Sequence, residues 1–280
     1  MVVDDPALAG HRQRADAAPP LPYLLTEGLR AMAEYGLFVG TTPLQLALPR
    51  GDGHPVLVLP GLGASDVSTR GLRGVLRRLG YPVHGWRLGR NIGPTERAVN
   101  GMRDRLDELG RRYDRPVSLI GWSLGGIFAR QLARSSPESV RQVVTLGSPF
   151  RLSQESQSRA HWLYDRYSHL HVGRWQLPLE HEREPLRVPA TSIYSRFDGI
   201  VAWQACLDRP SPTTENIAVF GSHLGLGHNP AVVWAVADRL AQPEGRWEHF
   251  RAPLLLAPLF PAADDAYVGA EPPAAGAAVA

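Results

Sequence analysis

The stretch that most restricts this chain is Gly121-Trp122-Ser123-Leu124-Gly125, which follows the apolar run Val117-Ser118-Leu119-Ile120 and leads into Ile127-Phe128-Ala129-Arg130-Gln131-Leu132-Ala133. A short apolar run, a turn with glycines on both sides of a serine and a helix-compatible run read as strand, tight turn, helix. Glycines flank the serine because the backbone of such a turn is crowded. The order points the serine hydroxyl outward at the carboxyl end of a sheet, where the N-terminus of the next helix favours a developing negative charge.

From Pro55 onward, short apolar runs alternate with helical periodicity. This is the signature of the α/β class, with a mostly parallel sheet of about six strands and helices on both faces. The predicted strands are Val56 to Leu59, Pro82 to Trp86, Val117 to Ile120, Val140 to Leu146, Ala190 to Tyr194 and Asn216 to Phe220. Helices are predicted over Thr69 to Leu79, Thr95 to Tyr113, Leu124 to Arg134 and Ala231 to Leu240, the last opened by Asn229 as cap and Pro230 in its first turn. Ahead of this core, within an N-terminal segment 1–50, Tyr23 to Val39 reads as an amphipathic helix with Leu25, Leu29, Met32 and Leu37 near helical spacing. Residues 51–261 form the expected domain, and 151–188 interrupt its pattern. That interruption mixes Trp162, Tyr164, Tyr167 and Trp175 with His161, His169, His171 and His181, and a connection this long between two strands reads as a cap or lid insertion. The tail 262–280, rich in Ala, Pro and Gly, has little to bury and is expected to be disordered.

A serine hydroxyl is a weak nucleophile until a histidine takes its proton and an acid orients that histidine. Of the ten histidines, His223 and His228 share the Gly-rich loop between the last predicted strand and the last helix, where the order serine, acid, histidine puts the base. His223 is the better candidate, because His228 sits just before Asn229-Pro230 and belongs to the helix start. Asp198 is the acid candidate, in the turn Arg196-Phe197-Asp198-Gly199 after a predicted strand. Asp208 and Asp238 read as solvated surface charges. The loop Pro60-Gly61-Leu62-Gly63-Ala64 follows the first core strand, so the backbone N–H groups of Leu62 and Leu124 would form a two-donor oxyanion hole.

On these residues the chain resembles the α/β-hydrolase superfamily, in particular small bacterial triacylglycerol lipases and related esterases, over about Pro55 to Leu240. Val143-Val144-Thr145-Leu146-Gly147-Ser148-Pro149, Ser195-x-x-Asp198-x-Ile200-Val201 and His223-Leu224-Gly225-Leu226 strengthen the likeness. The resemblance implies Ser123, Asp198 and His223 as catalytic triad, Leu62 and Leu124 as oxyanion donors, and no cofactor or metal. It implies a serine hydrolase that cleaves carboxylic esters, including lipid-like acyl esters, through an acyl-enzyme. Acyl transfer to an alcohol uses the same triad, and a silent member that only binds a ligand shares the fold. Two departures stand out: Pro60 replaces the usual histidine before the oxyanion glycine, and the minimal lipases lack an insertion like 151–188.

Composition narrows the partners. A formal charge of +3, with basic residues scattered along the chain and all of them arginine, gives no stripe that would track nucleic-acid phosphates. The one cysteine, Cys206, sits among apolar neighbours and reads as a small core residue. Asp4, Asp5 and Asp16 occupy the region where a signal peptide needs a cationic start, and no stretch reaches the roughly 18 apolar residues of a spanning helix. The expected compartment is the cytoplasm, with peripheral membrane contact compatible with an ester substrate of lipid type.

Overall fold

Consecutive residues of the first strand face opposite sides of the sheet, and both sides are apolar. Val56 and Val58 join one core cluster and Leu57 and Leu59 the other, so helices must cover both faces. The computed structural model describes residues 18–152, 157–173, 185–209 and 211–264. Its strands are β1 (Val56–Leu59), β2 (Val83–Gly85), β3 (Val117–Trp122), β4 (Val140–Leu146), β5 (Ala190–Tyr194) and β6 (Thr214–Ala218). They form one sheet in the order β2-β1-β3-β4-β5-β6, with every neighbouring pair parallel. The helices are α1 (Leu21–Gly40), α2 (Arg70–Arg78), α3 (Glu96–Tyr113), α4 (Leu124–Ser135), α5 (His161–Arg166) and α6 (Pro230–Ala241). Residues of α2 and α6 pack on the Val56/Val58 side and residues of α3 and α4 on the Leu57/Leu59 side.

The chain leaves β1 for β2 on one side and returns to β3 on the other, so the carboxyl ends of β1 and β3 open onto a switch point of the topology, where open α/β sheets bind ligands. The α/β sheet expected from the sequence is present, with shifts at its ends. Pairing with β5 in the register Ala190↔Thr214 to Tyr194↔Ala218 sets β6 two residues earlier than the apolar run Asn216 to Phe220, and Phe220 lies exposed beyond it. Pairing with Thr145 and Leu146 carries β3 on through Gly121 and Trp122, up to the residue before Ser123. As the sequence indicates, Asn229 caps α6, its Oδ1 accepting from the N–H groups of Ala231 at 2.9 Å and Val232 at 3.4 Å.

Helix α1 spans the predicted helix but turns its apolar stripe outward. Leu25, Leu29, Met32 and Leu37 are 76, 72, 74 and 60% exposed, whereas Glu27 and Glu34 are 3 and 9% exposed. Helical spacing identified the element, and the hydrogen bonds available to the two carboxylates decide which face turns inward. Among the described residues no helix is long and apolar enough to cross a membrane. Of the predicted tail, Ala262 and Asp264 are tied to the domain: Arg196 donates to the Ala262 carbonyl at 2.8 Å, and Arg196 and Tyr194 both donate to Asp264 Oδ2. Residues 265–280, and Met1 to Ala17 at the other end, lie outside the described residues.

At the amino end of the sheet His54 is buried between Asp52 and Ser118. Its Nδ1 meets Asp52 Oδ1 at 2.5 Å and its Nε2 meets Ser118 Oγ at 2.8 Å. Burial pushes the His54 pKa down to about 4, against the opposing pull of Asp52. A histidine depressed in the fold contributes stability that is present above its unfolded value of 6.5 and is lost as pH falls from there toward about 4. The melting temperature of the wild type should therefore drop across that window, by the equivalent of on the order of 3 kcal/mol, and the drop should be smaller in His54→Gln. Equal acid sensitivity of the two proteins would remove His54 as its source.

Candidate active site

Ser123 sits between β3 and α4 with φ 52° and ψ −123°, a backbone conformation that side-chain-bearing residues rarely adopt. The surroundings hold it there. Its N–H donates to the Leu146 carbonyl at 2.8 Å, and its carbonyl accepts from Gly126 N–H at 2.9 Å. The sharp turn lays α4 against the strand ends, with no room for side chains at the contacts. A Cβ on Gly121 would stand 2.3 Å from the Gly125 carbonyl oxygen, and one on Gly125 would stand 2.4 Å from that of Leu59.

Asp198 and His223 reach the same place from the ends of β5 and β6. His223 Nδ1 faces Asp198 Oδ2 at 2.6 Å, and both side chains are buried. The other carboxylate oxygen, Oδ1, accepts the N–H groups of Ile200 at 2.8 Å and Val201 at 2.7 Å, which fix its orientation. With Nδ1–H directed at the carboxylate, Nε2 is the ring nitrogen left to exchange a proton. Burial acts to lower the His223 pKa, but the negative charge of Asp198, the hydrogen bond to it and the charge of Glu27 outweigh burial and raise it above the ordinary histidine value.

Two contacts bring this pair next to the elbow. The Trp122 indole N–H donates to the His223 carbonyl at 3.1 Å. Gly147, whose φ is +53°, follows the Leu146 that receives the Ser123 N–H, and a Cβ there would stand 3.2 Å from His223 Nδ1 and 3.3 Å from Asp198 Oδ2. Among the described residues Ser123 Oγ makes no hydrogen bond to His223, and contacts of this kind often tighten only with substrate bound.

The loop after β1 lies against the same serine. A Cβ on Gly61 would be 3.2 Å from Ser123 Cβ. Among the described residues, no protein acceptor takes the N–H of Leu62 or that of Leu124. Asn91, which sequence reasoning overlooked, braces this loop. Fully buried, it donates from Nδ2 to the Pro60 carbonyl at 2.8 Å, donates its N–H to the Ala64 carbonyl at 2.7 Å and accepts Gly63 N–H at 2.6 Å. The support of the loop after β1 thus comes from a neighbouring loop.

No family model matches the chain. It is similar to lipase B of Aspergillus fumigatus, with a TM-score of 0.55 and 16% identity over 68% of this chain and 52% of that one. It is likewise similar to the Bacillus licheniformis lipase BlEst2 in its propeptide form, with a TM-score of 0.52 and 16% identity over 73% of this chain and 53% of that one. This is an α/β-hydrolase fold. In sequence, the pimeloyl-[acyl-carrier protein] methyl ester esterase of Shewanella woodyi is 30% identical over 109 residues, which amount to 39% of this chain and 41% of that esterase. The chain thus spans less than half the length of this relative and about half of either lipase.

The remaining candidates have other partners, although the His228 ring also lies edge-on to Trp122 of the elbow, with centroids 6.5 Å apart. His228 Nε2 approaches the Ala31 carbonyl at 3.2 Å, and its ring lies edge-on to Tyr35. Asp208 is a correction to the sequence reading: it is buried, not solvated, and Arg130 donates to both its oxygens at 2.6 and 3.3 Å. Asp238 pairs with the neighbouring Arg239. Cys206 is buried, as its apolar neighbours indicate, and burial pushes its thiol pKa well up. Ser118, His54 and Asp52 also form a serine, histidine and carboxylate in sequence, but at the opposite end of the sheet, with Ser118 and His54 wholly enclosed. Among the described residues no group of three or more His, Cys, Asp or Glu could hold a metal ion.

Of the insertion, residues 151–152, 157–173 and 185–188 are described, and the middle stretch carries the short helix α5. It is stitched on one side to the segment after Asp198, through Arg159 N–H to the Ile200 carbonyl and Ala202 N–H to the Gln157 carbonyl, both at 2.8 Å. On the other side Val172 N–H donates to the Pro94 carbonyl at 2.9 Å, and His171 Nε2 meets the Ile92 carbonyl at 2.8 Å. Between these anchors Leu163 approaches Gly63 of the loop after β1. Trp175 and His181 lie outside the described residues.

Because a methyl group at position 121 meets backbone instead of a movable side chain, Gly121→Ala should destabilise the fold by about 1–3 kcal/mol. Thermal unfolding of that variant, with Gly110→Ala as a control whose Cβ meets nothing within 4 Å, checks this. Equal melting temperatures would contradict the packing described for the elbow.

Proposed function

We propose that this protein hydrolyses carboxylic esters through an acyl-enzyme on Ser123. The observation that carries the reading is the buried Asp198–His223 pair at 2.6 Å, set beside a serine held in a left-handed turn at the carboxyl end of β3. The esterase and lipases to which the chain is similar support ester hydrolysis as the general chemistry. His223 Nε2 takes the hydroxyl proton as Ser123 Oγ attacks the acyl carbon, and Asp198 keeps the imidazole in the required tautomer and stabilises its positive charge. The N–H groups of Leu62 and Leu124 receive the oxyanion of the tetrahedral intermediate. His223 then gives the proton to the departing alkoxide, and water repeats the sequence in reverse to release the acid.

An apolar acyl group suits the surroundings, since the loop after β1 carries Leu62 and is approached at Gly63 by Leu163 of the insertion. The 151–188 insertion is read as a cap, because its described part is anchored beside both the acid loop and the loop that carries Asn91. Replacing Leu163 by Ala should alter the preference among ester chain lengths more than the melting temperature. An unchanged chain-length profile would make the insertion a surface decoration.

On a p-nitrophenyl ester, Ser123→Ala and His223→Ala should lose nearly all turnover and His228→Ala should retain it. Asp198→Asn should fall by about 10⁴-fold, the scale of the corresponding change in a serine protease. The base must be neutral to act, so the acid limb of kcat/KM should lie above pH 6.5, in keeping with the raised His223 pKa. Fluorophosphonate labelling that persists in Ser123→Ala would overturn the nucleophile assignment.

A further inference from the structure

Helix α1 precedes every strand of the sheet, yet it reaches the proposed triad. Glu27 Oε1 accepts the N–H of Gly199 at 2.8 Å and that of His223 itself at 3.1 Å, and Oε2 accepts the N–H of Leu224 at 3.0 Å. Gly199 follows Asp198, so one carboxylate oxygen joins the loop that carries the acid to the loop that carries the base. Two turns further along α1, Glu34 Oε1 accepts Ser222 N–H at 2.7 Å, and its Oε2 takes an N–H of the Asn229 side chain at 3.1 Å. Arg30, between them on the helix, donates to Glu27 Oε1 at 3.0 Å and to the Phe197 carbonyl at 2.8 Å. The close approach is built in from the other side too, because a Cβ on Gly199 would stand 2.4 Å from the carbonyl carbon of Tyr23.

We propose that Glu27 is a positioning residue that sets the distance and angle between the Asp198 and His223 loops, so that the N-terminal helix is part of the working apparatus of the site. The proposal rests on the triad reading above. A carboxylate buried in a purely structural role needs only to be satisfied, and any loop could satisfy it. Glu27 instead spends its acceptors on the residue after the acid, on the base and on the residue after the base. The charged groups set toward His223 are Asp198 from the loop after β5 and Glu27 from α1, the latter paired with Arg30; Glu34 stands one residue away at Ser222.

The test uses the whole chain and a p-nitrophenyl ester, with kcat, KM and the pH profile measured for folded Glu27→Gln, Glu27→Ala and Gly199→Ala, beside Ser123→Ala. A misplacement of about 1 Å is enough for a loss on the order of 10²-fold. Glu27→Ala should therefore lose about that much in kcat with KM little changed, and Glu27→Gln, which keeps one acceptor oxygen, should fall between it and the wild type. In both Glu27 variants the acid limb should move to lower pH, because a negative charge beside the base has gone. Gly199→Ala keeps that charge but forces α1 off the acid loop, so it should lose kcat with a smaller movement of the limb. A merely structural Glu27 would lower the melting temperature and leave the kcat of folded protein and the acid limb where they were. That result, with Ser123→Ala inactive, overturns the proposal and leaves the triad standing. An active Ser123→Ala brings down the triad reading instead. Should the Glu27 variants fail to fold, wild-type kcat in folded Gly199→Ala refutes the proposal by itself.

Discussion

Ser123 occupies a left-handed backbone conformation in which a residue with a side chain is strained by roughly 1–3 kcal/mol, and the rest of the molecule is arranged so that this conformation has no easy escape. The strain is confined by backbone packed on backbone. The crossing of β1, β3 and the first turn of α4 admits glycine and nothing larger at positions 121 and 125, since any Cβ there would meet main-chain atoms. The parallel register of β3 with β4 places the Leu146 carbonyl where the Ser123 N–H needs an acceptor. Gly147, the next residue, is bare enough for the His223–Asp198 pair to lie against it. The constraint that shapes the turn thus also makes room for the two side chains beside it.

Polar contacts bring in the pieces that the sheet does not supply. Asn91 braces the loop after β1 from outside, and Glu27 and Glu34 bind the loop of His223 from a helix whose outer face is apolar. Docking a helix through carboxylates is unusual, because a buried charge must find partners that replace its lost hydration. Here backbone N–H groups of tight loops supply most of them, and those same groups would themselves have been buried without acceptors.

Most of the sheet and the three triad candidates were legible in the chain because each rests on local chemistry. Apolar runs mark β1, β4 and β5 to the residue; Gly121 and Gly125 mark the elbow; and Asp198 and His223 stand directly after strand ends. What escaped the sequence depends on partners distant along the chain. Nothing near Asp208 announces Arg130, which lies 78 residues away. Nothing in Leu25, Leu29 and Met32 tells that the opposite face of their helix holds two buried carboxylates, although a glutamate pair seven residues apart in a mostly apolar helix is a signal that could have raised the question. The end of β6 differs because pairing with β5 outweighs the apolar run that continues past it.

The buried Ser118 and His54, with the exposed Asp52, show which property separates a scaffold from a site. In atom types, and in a histidine set between a serine and a carboxylate, they match the proposed triad, and Ser118 Oγ meets its histidine directly at 2.8 Å. Yet every member already has its partner, and the serine and histidine are wholly buried. Ser123 has the opposite balance, with a strained backbone and, among the described residues, no hydrogen bond from its hydroxyl to His223 and no protein acceptor for the nearby N–H groups of Leu62 and Leu124. A template search by atoms alone would rank the inert constellation first. A search for frustrated groups, those whose bonding is left incomplete by everything around them, would choose the other end of the sheet.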